Sequence, residues 1–565
     1  MRVIIVGGVA GGATAAARIR RLDESAEIII YERSGYISYA NCGLPYYIGG
    51  VIQDESDLTL QTPQSFYSRF RINVNVNHEV VKINSLDKTV LVKNVLTNEE
   101  FTDKYDKLIL SVGAKPIVLD GVEIKEPIFT LRTVEDTFKI RSFIINNNPK
   151  NAVVIGGGFI GLEMAENLKN QGIDTTIIQR NSHLLNILDK DMASMVHSEF
   201  RKQGVNLLLN TTIETIEKIG DKLKLTLLNG MTLETDLLIM SIGVVPENKL
   251  AKELGLELGI KGAIKVNSKM ETSIKDIYAV GDVVELKHFV SNEDSVISLA
   301  GPANKQGRIA ADNICGLNSE YKGSQGSSII KLFDLTVAST GINEDTAKRL
   351  MLNYEKVILS PLSHAGYYPG GKVLTLKVLY DKDSLNILGG QIVGYDGVDK
   401  RIDVLATSIR AKMKATELKD LDLAYAPPYS SAKDPINMAG FIIDNIENGI
   451  VKQFYYDDIE HLRKSKDVIL LDTRTVYEYN KGYALGFINI PLDDLRERIN
   501  ELDKTKKIYV MCQSGLRSYL ATRILVQNGF DAYNFVGGYR LYSSIYKEES
   551  LSKECYPCGM DKEKA

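Results

Sequence analysis

The chain runs to 565 residues, too many for one hydrophobic core and, at roughly 150 residues per domain, enough for three or four. A formal net charge of −4 with 25% charged residues leaves no polybasic field, which argues against nucleic acid or an anionic membrane surface as the main partner. Five cysteines (Cys42, Cys315, Cys512, Cys555 and Cys558) cannot staple so long a chain into a disulfide framework and fit a reducing, cytoplasmic setting.

The N-terminus, MRVIIVGGVAGGATAAA, imitates a signal peptide, but Gly7, Gly8, Gly11 and Gly12 break its apolar run, which suits a strand and turn. Nowhere do 18 apolar residues follow one another, so no membrane span is expected. VIIVGGVAGGATAAARIRRL followed by EIIIYE reads as strand, glycine turn, helix, strand. Gly7, Val9 and Gly12 occupy the three positions of a G-x-G-x-x-G fingerprint; the middle glycine is missing, and Gly8 and Gly11 are there to compensate. Glu32, twenty residues past Gly12, stands at a strand end where a carboxylate can accept ribose hydroxyls, with Arg33 beside it in the same cofactor site.

YDKLILSVGAKP is a buried strand ending in a turn, and TDLLIMSIGVVPEN repeats that pattern later, so both read as crossings between domains. Between them NAVVIGGGFIGLEMAENLKNQG and DTTIIQR form a second βαβ unit about 150 residues after the first. It carries the full pattern, Gly156, Gly158 and Gly161, with a helix N-terminus turned toward a phosphate. Its second strand ends in IIQRN, without an acid for a ribose 2′-OH and with Arg180 available to a 2′-phosphate. That favours NADPH but leaves NADH open, because an Arg at a strand end is as often solvated. From Lys331 to Asn445 the pattern changes to mixed strands and helices, turns polar near ENGIVKQFYYDDIEHL, and then restarts as a small α/β domain of about 100 residues.

TSIKDIYAVGDVVEL holds a T-x4-I-Y-A-x-G-D pattern (Thr272, Ile277, Tyr278, Ala279, Gly281, Asp282) that resembles the flavin-ribityl motif of two-dinucleotide flavoproteins. The resemblance implies FAD, with Asp282 accepting from the ribityl chain, and the segment order FAD, NAD(P), FAD.

Cys42, in SYANCGLPYYIGG, has no second cysteine nearby along the chain, and a reactive thiol needs a helix N-terminus, a cation or an electron-poor ring beside it. NCGLPYYIGG, GGVAGGAT, KLFDLTVASTGINE, HAGYYPGGK, DGVDKRIDVLATSI and YAPPYSSAKDPIN together resemble coenzyme A disulfide reductases, the single-cysteine branch of the pyridine nucleotide disulfide oxidoreductases, over residues 1 to about 445. The resemblance implies that Cys42 forms a mixed disulfide with coenzyme A, which reduced flavin clears. It also implies a coenzyme A site from Thr14, Arg18 and Arg21, which share one helix face, with Ser38, Asn41 and Lys433. Phe70 stands where a relative has a basic residue, so Arg69 or Arg71 would have to substitute; Arg71 is taken as the contact. Tyr367 and Tyr425 match tyrosines that reach the partner subunit's catalytic Cys, which implies a homodimer with a shared active site. A rival reading is a water-forming NADH oxidase or peroxidase, whose similar lone Cys cycles through sulfenic acid.

CQSGLRS (residues 512–518) follows the strand IYVM and opens a helix, an anion cradle for Cys512 with Arg517 closing the loop. With LLDTR (Asp472, Arg474), GYALGFINIP and NFVGGY it resembles a rhodanese, although Tyr483 replaces a common His. The C-x4-R spacing is tighter than the C-x5-R of related phosphatases and suits a persulfide. Cys555 and Cys558 form a C-x2-C tail pair, too few ligands for zinc and a candidate resolving or sulfur-accepting pair; no metal is expected.

The expected fold is α/β: two nested Rossmann-like dinucleotide-binding domains, an α+β dimerisation domain and a small α/β rhodanese-like domain. The divisions are 1–112 with 247–325 for FAD, 113–246 for NAD(P)H, 326–445 for dimerisation, 446–455 as linker, 456–550 as rhodanese-like and 551–565 as tail. The joined parts imply an NAD(P)H- and FAD-dependent reductase of coenzyme A disulfide, coenzyme A persulfide or polysulfide, fed with sulfane sulfur by Cys512. A non-enzymatic sulfur sensor is the third reading.

Overall fold

The computed structural model describes residues 1–554, with side chains to residue 550; Cys555 and Cys558 lie outside the described residues. It divides into two compact units, Met1–Asn181 with Gly204–Gly326, and Ser182–Gln203 with the chain from Ser327 on.

The first unit holds two five-stranded parallel sheets. One orders its strands Ile277–Ala279, Lys107–Leu110, Arg2–Val6, Glu27–Glu32 and Asn73–Val76. The other runs Ile128–Thr130, Leu237–Met240, Asn151–Ile155, Asp174–Gln179 and Asn206–Leu209. Parallel strands covered on both faces are apolar at every position, which is why VIIV and EIIIY read as continuous runs. Val3, Ile5, Ile28 and Ile30 face Ala13, Ala16 and Ile19 of the helix Ala10–Leu22, whereas Ile4, Val6 and Ile29 face Val80, Val90 and Val92. Each such side chain contributes about 1.5–3 kcal/mol on burial. The helix Ala10–Leu22 crosses Ala300–Ile314 so closely that a Cβ on Gly307 would strike the Gly11 carbonyl.

The two apolar crossings come together as Ala114–Pro116 paired antiparallel with Val244–Pro246. Their turns bear the load of the nucleotide loops: a Cβ on Gly7 would strike Ser111 O, and one on Gly156 would strike Ser241 O. Both glycines have positive φ (100° and 105°), so any side chain there is also strained.

The second unit contains an antiparallel sheet ordered Ser328–Leu332, Leu335–Gly341, Ile387–Gly394, Leu374–Asp381 and Tyr354–Leu359. Lys377 on its fourth strand is 2% exposed, and its ammonium lies 2.8 Å from both Asp189 and Asp191 and against Glu344. Those three carboxylates are close enough to chelate a cation, and the lysine occupies the place one would take. The helix Lys190–Lys202 belongs to this unit: Phe200 packs edge-on to Phe333, Ser194 meets Ser544 at 2.9 Å, and Arg201 pairs with Glu548.

The C-terminal sheet is parallel, ordered Lys452–Phe454, Ala532–Phe535, Lys507–Met511, Val468–Asp472 and Ile488–Asn489. Lys452–Phe454 was expected within the 446–455 linker and is instead an edge strand, because Phe454 is buried against Phe535 and Tyr509. Among the described residues no helix is long and apolar enough to cross a membrane.

Candidate active sites

A cavity of about 210 Å³ opens over the first glycine turn, lined among others by Gly7, Val9, Glu32, Arg33, Asn41 and Arg132. Glu32 is fixed by the Gly8 and Ser34 amides at 2.8 and 2.9 Å, and burial pushes its carboxyl pKa up despite those donors. Val9 replaces the middle glycine at the N-terminal end of the helix and borders the cavity. A Cβ on Gly12 would strike Gly7 O, so the third glycine is required by the turn itself. Gly281 (φ 85°) donates to buried Gln306, and Asp282 pairs with Arg132 at 2.7 Å. Thr272 closes the turn before the strand by donating to Ile277 O. A glycine cradle at a helix start, a buried carboxylate at the strand end and Asp282 fit FAD in its ribityl and ribose contacts. Arg132 and Gln306 were not anticipated; only three-dimensional proximity brings them to the motif.

The second turn copies the first with one change of chemistry. The Gly157 amide donates to Gln179 Oε1 at 2.9 Å, as Gly8 does to Glu32, so the amide of Gln179 stands where the first unit has a carboxylate. Gly158 meets nothing within 4 Å, leaving room for a phosphate at the start of helix Phe159–Asn170, and Arg180 is exposed at the strand end. A Cβ on Gly161 would strike Gly156 O.

Cys42 sits in a single 3-10 turn, Asn41–Gly43, ahead of the helix Leu44–Ile48. The residue is exposed, yet surrounding atoms desolvate its sulfur, and the carboxylates of Glu163 and Asp282 repel a thiolate while Arg132 favours one. Their sum pushes the thiol above its ordinary pKa, the opposite of the depression a reactive thiolate requires from its surroundings. Glu163, on the second nucleotide helix, is itself raised to about 7 by burial, and Tyr46 donates to it at 3.5 Å. Sequence reading missed Glu163; its signal is the i, i+3 pair of acids, Glu163 and Glu166, inside an otherwise apolar stretch of helix.

Of the expected coenzyme A contacts, the first unit holds most. Thr14 donates to Asn304 at 2.8 Å, Arg18 is paired with Asp312 at 2.7 Å, and Arg21 is exposed. Ser38 takes φ 45°, and Asn41 borders the cavity. Phe70 packs on Phe66, while Arg71 caps its helix at φ 50° and lies over the Tyr67 ring. Lys433 is exposed on the second unit. On that unit too, the hydroxyls of Tyr367 and Tyr425 lie 2.6 Å apart, with Tyr367 75% exposed.

Cys512 is fully buried at the end of Lys507–Met511, and its sulfur receives the Gly515 amide at 3.1 Å and the Ser518 hydroxyl at 3.3 Å. Gly515, at φ 103°, starts the helix Leu516–Gln527. Both terminal nitrogens of Arg517 donate to Glu478, at 2.6 and 2.7 Å, and the guanidinium acts on the Cys512 sulfur through space. Below the loop Arg474 is buried on Asp472 and stacks over Tyr539. Tyr483 lies parallel to Tyr479 with centroids 4.8 Å apart.

Comparison with known proteins agrees with this division of labour. Residues 1–307 match the family "Pyridine nucleotide-disulphide oxidoreductase", 327–435 its dimerisation domain, and 456–544 the rhodanese-like domain. The chain is 40% identical over 441 residues to a coenzyme A disulfide reductase of Staphylococcus haemolyticus, covering 78% of this chain and 98% of that one. Reduced Bacillus anthracis CoADR-RHD superposes with a TM-score of 0.94 at 47% identity, covering 97% of this chain and 98% of that structure. A NAD-dependent persulfide reductase from A. fulgidus superposes at 0.90 and 36% identity, covering 96% and 100%. Flavin site, nicotinamide site, lone cysteine and matched sequence leave one conclusion: the chain belongs to the pyridine nucleotide-disulphide oxidoreductase family, here joined to a rhodanese-like domain.

Proposed function

We propose that this protein uses NAD(P)H and FAD to reduce the sulfur–sulfur bond of coenzyme A disulfide and of coenzyme A persulfide or polysulfide, through a mixed disulfide on Cys42, with Cys512 carrying sulfane sulfur. One observation carries the reading: the other cysteine of the nucleotide-binding unit, Cys315, caps the helix Ala300–Ile314 beside Asp23, Asp312 and Arg18, whereas Cys42 lies beside Glu163, Asp282 and Arg132, so Cys42 has no dithiol partner for an internal exchange and takes its second sulfur from outside.

Bound FAD supplies the electron pair. Cys42 thiolate attacks one sulfur of the disulfide and expels coenzyme A thiolate, or attacks the coenzyme A-bound sulfur of the persulfide and expels hydrosulfide; either way a Cys42–coenzyme A disulfide is left, and its cleavage to two thiolates would consume that electron pair. On the first unit Arg21 and Arg71 offer exposed cations to the phosphates of coenzyme A. Arg18 joins them only by giving up Asp312. In a homodimer, Tyr367 and Tyr425 approach Cys42 of the partner subunit and hand a proton to the leaving sulfur. Glu163, close to neutrality in its pKa, is suited to exchange the proton of Cys42. Arg180 supports use of NADPH.

The test is the mass of the Cys42 peptide from protein purified with and without reductant. A reductant-sensitive adduct of coenzyme A mass is expected. Sulfenic or sulfinic oxygen there, without coenzyme A, would replace this reading with the oxidase.

A further inference from the structure

The Cys512 loop contains one cationic side chain in its sequence, Arg517, and the structure commits the hydrogen bonds of its two terminal nitrogens to a carboxylate, so that its charge near the sulfur is offset. Glu478 holds Arg517 at two points, and is itself fixed by the Thr475 amide and hydroxyl, both at 3.0 Å. The Arg517 hydrogen bonds keep its carboxyl at about 2, ionised at every physiological pH. Tyr477 and Leu516, 70% and 66% exposed, flank the two residues in sequence and offer apolar rather than charged surface. The hydrogen bonds to the sulfur come from neutral donors, the Gly515 amide and the Ser518 hydroxyl, and Arg517 acts on it only through space.

We propose that Glu478 sets the donor class of the Cys512 site: by cancelling Arg517 it selects alkyl persulfides, such as those of small thiols, and disfavours thiosulfate. This rests on the reading of Cys512 as a sulfur carrier. With an alkyl persulfide R–S–SH, Cys512 thiolate bonds to the outer sulfur, the S–S bond of the donor breaks, its electron pair leaves on RS⁻, and the outer sulfur keeps its proton as Cys512–S–SH. With thiosulfate the same attack must expel sulfite beside an ionised carboxylate whose cation is already engaged. Specificity of this kind is negative: the unwanted donor is repelled rather than the wanted one held.

The experiment loads the full-length protein with sulfur from thiosulfate or from glutathione persulfide and follows the persulfide on the Cys512 peptide by mass. Parent protein should load faster from glutathione persulfide. Glu478→Gln should raise kcat/KM for thiosulfate about fivefold through KM, leave glutathione persulfide within about twofold, and keep its Tm. Glu478→Asp should restore most of the parent's discrimination. An equal loss with both donors accompanied by a fall in Tm, or an unchanged thiosulfate rate in a folded Gln variant, would overturn the proposal while leaving Cys512 a carrier. Failure of the parent to load from either donor would overturn both.

Discussion

The Tyr46 hydroxyl lies 3.5 Å from the Glu163 carboxylate, and this pair joins the short helix after Cys42 to the helix that opens the nicotinamide site. Burial leaves Glu163 at about 7, so its charge changes within the working range of the enzyme, beside the thiol of Cys42.

Because a Glu163 carboxylate repels a Cys42 thiolate, Glu163→Gln should make Cys42 more acidic. Alkylation of Cys42 by iodoacetamide at pH 7.5 should then be faster, by roughly two- to threefold.

The same residue gives a stability signature. A carboxyl raised in the folded chain binds its proton more tightly folded than unfolded, so its favourable contribution is complete below the ordinary carboxyl range and disappears as pH rises toward about 7. Glu163→Gln should therefore match the parent's Tm near pH 4.5 and exceed it at pH 8, by about 2–4 °C.

Lys377 is the counter-charge of three carboxylates in the second unit, and together with Lys356 it holds Glu344 at about 2 in spite of burial. Lys377→Met would strand those charges, a loss of about 3–5 kcal/mol. Differential scanning calorimetry should show the cost.

Tyr367→Phe and Tyr425→Phe remove one hydroxyl each from an exposed pair, so Tm should hold. Turnover of coenzyme A disulfide should fall about 10- to 100-fold for each, and the double variant should fall less than the product of the two, since the hydroxyls act together.

Much of this was legible in the sequence. Glycines 7, 12, 156 and 161 announce the nucleotide turns because backbone atoms fill the space their Cβ atoms would need, and no other residue solves that problem. Cys42 and Cys512 stand out by rarity and by their flanking motifs. What escaped is what distant segments bring together. Arg132 on Asp282, Gln306 under Gly281, and Glu478 on Arg517 each join residues from 25 to 150 positions apart. Glu163 was hidden for another reason: its i, i+3 pairing with Glu166 reads as a solvated helix face until burial shows that it is not one. The edge strand Lys452–Phe454 was missed because three residues in polar surroundings carry no period, and only Phe454 betrays it.

The central claim, that electrons from NAD(P)H end on a bond between the sulfur of Cys42 and a sulfur from outside, is tested most directly by NAD(P)H oxidation driven by coenzyme A disulfide in Cys42→Ser. A loss of about 10³-fold or more, with bound flavin retained, is predicted. Turnover at the parent's rate would contradict it.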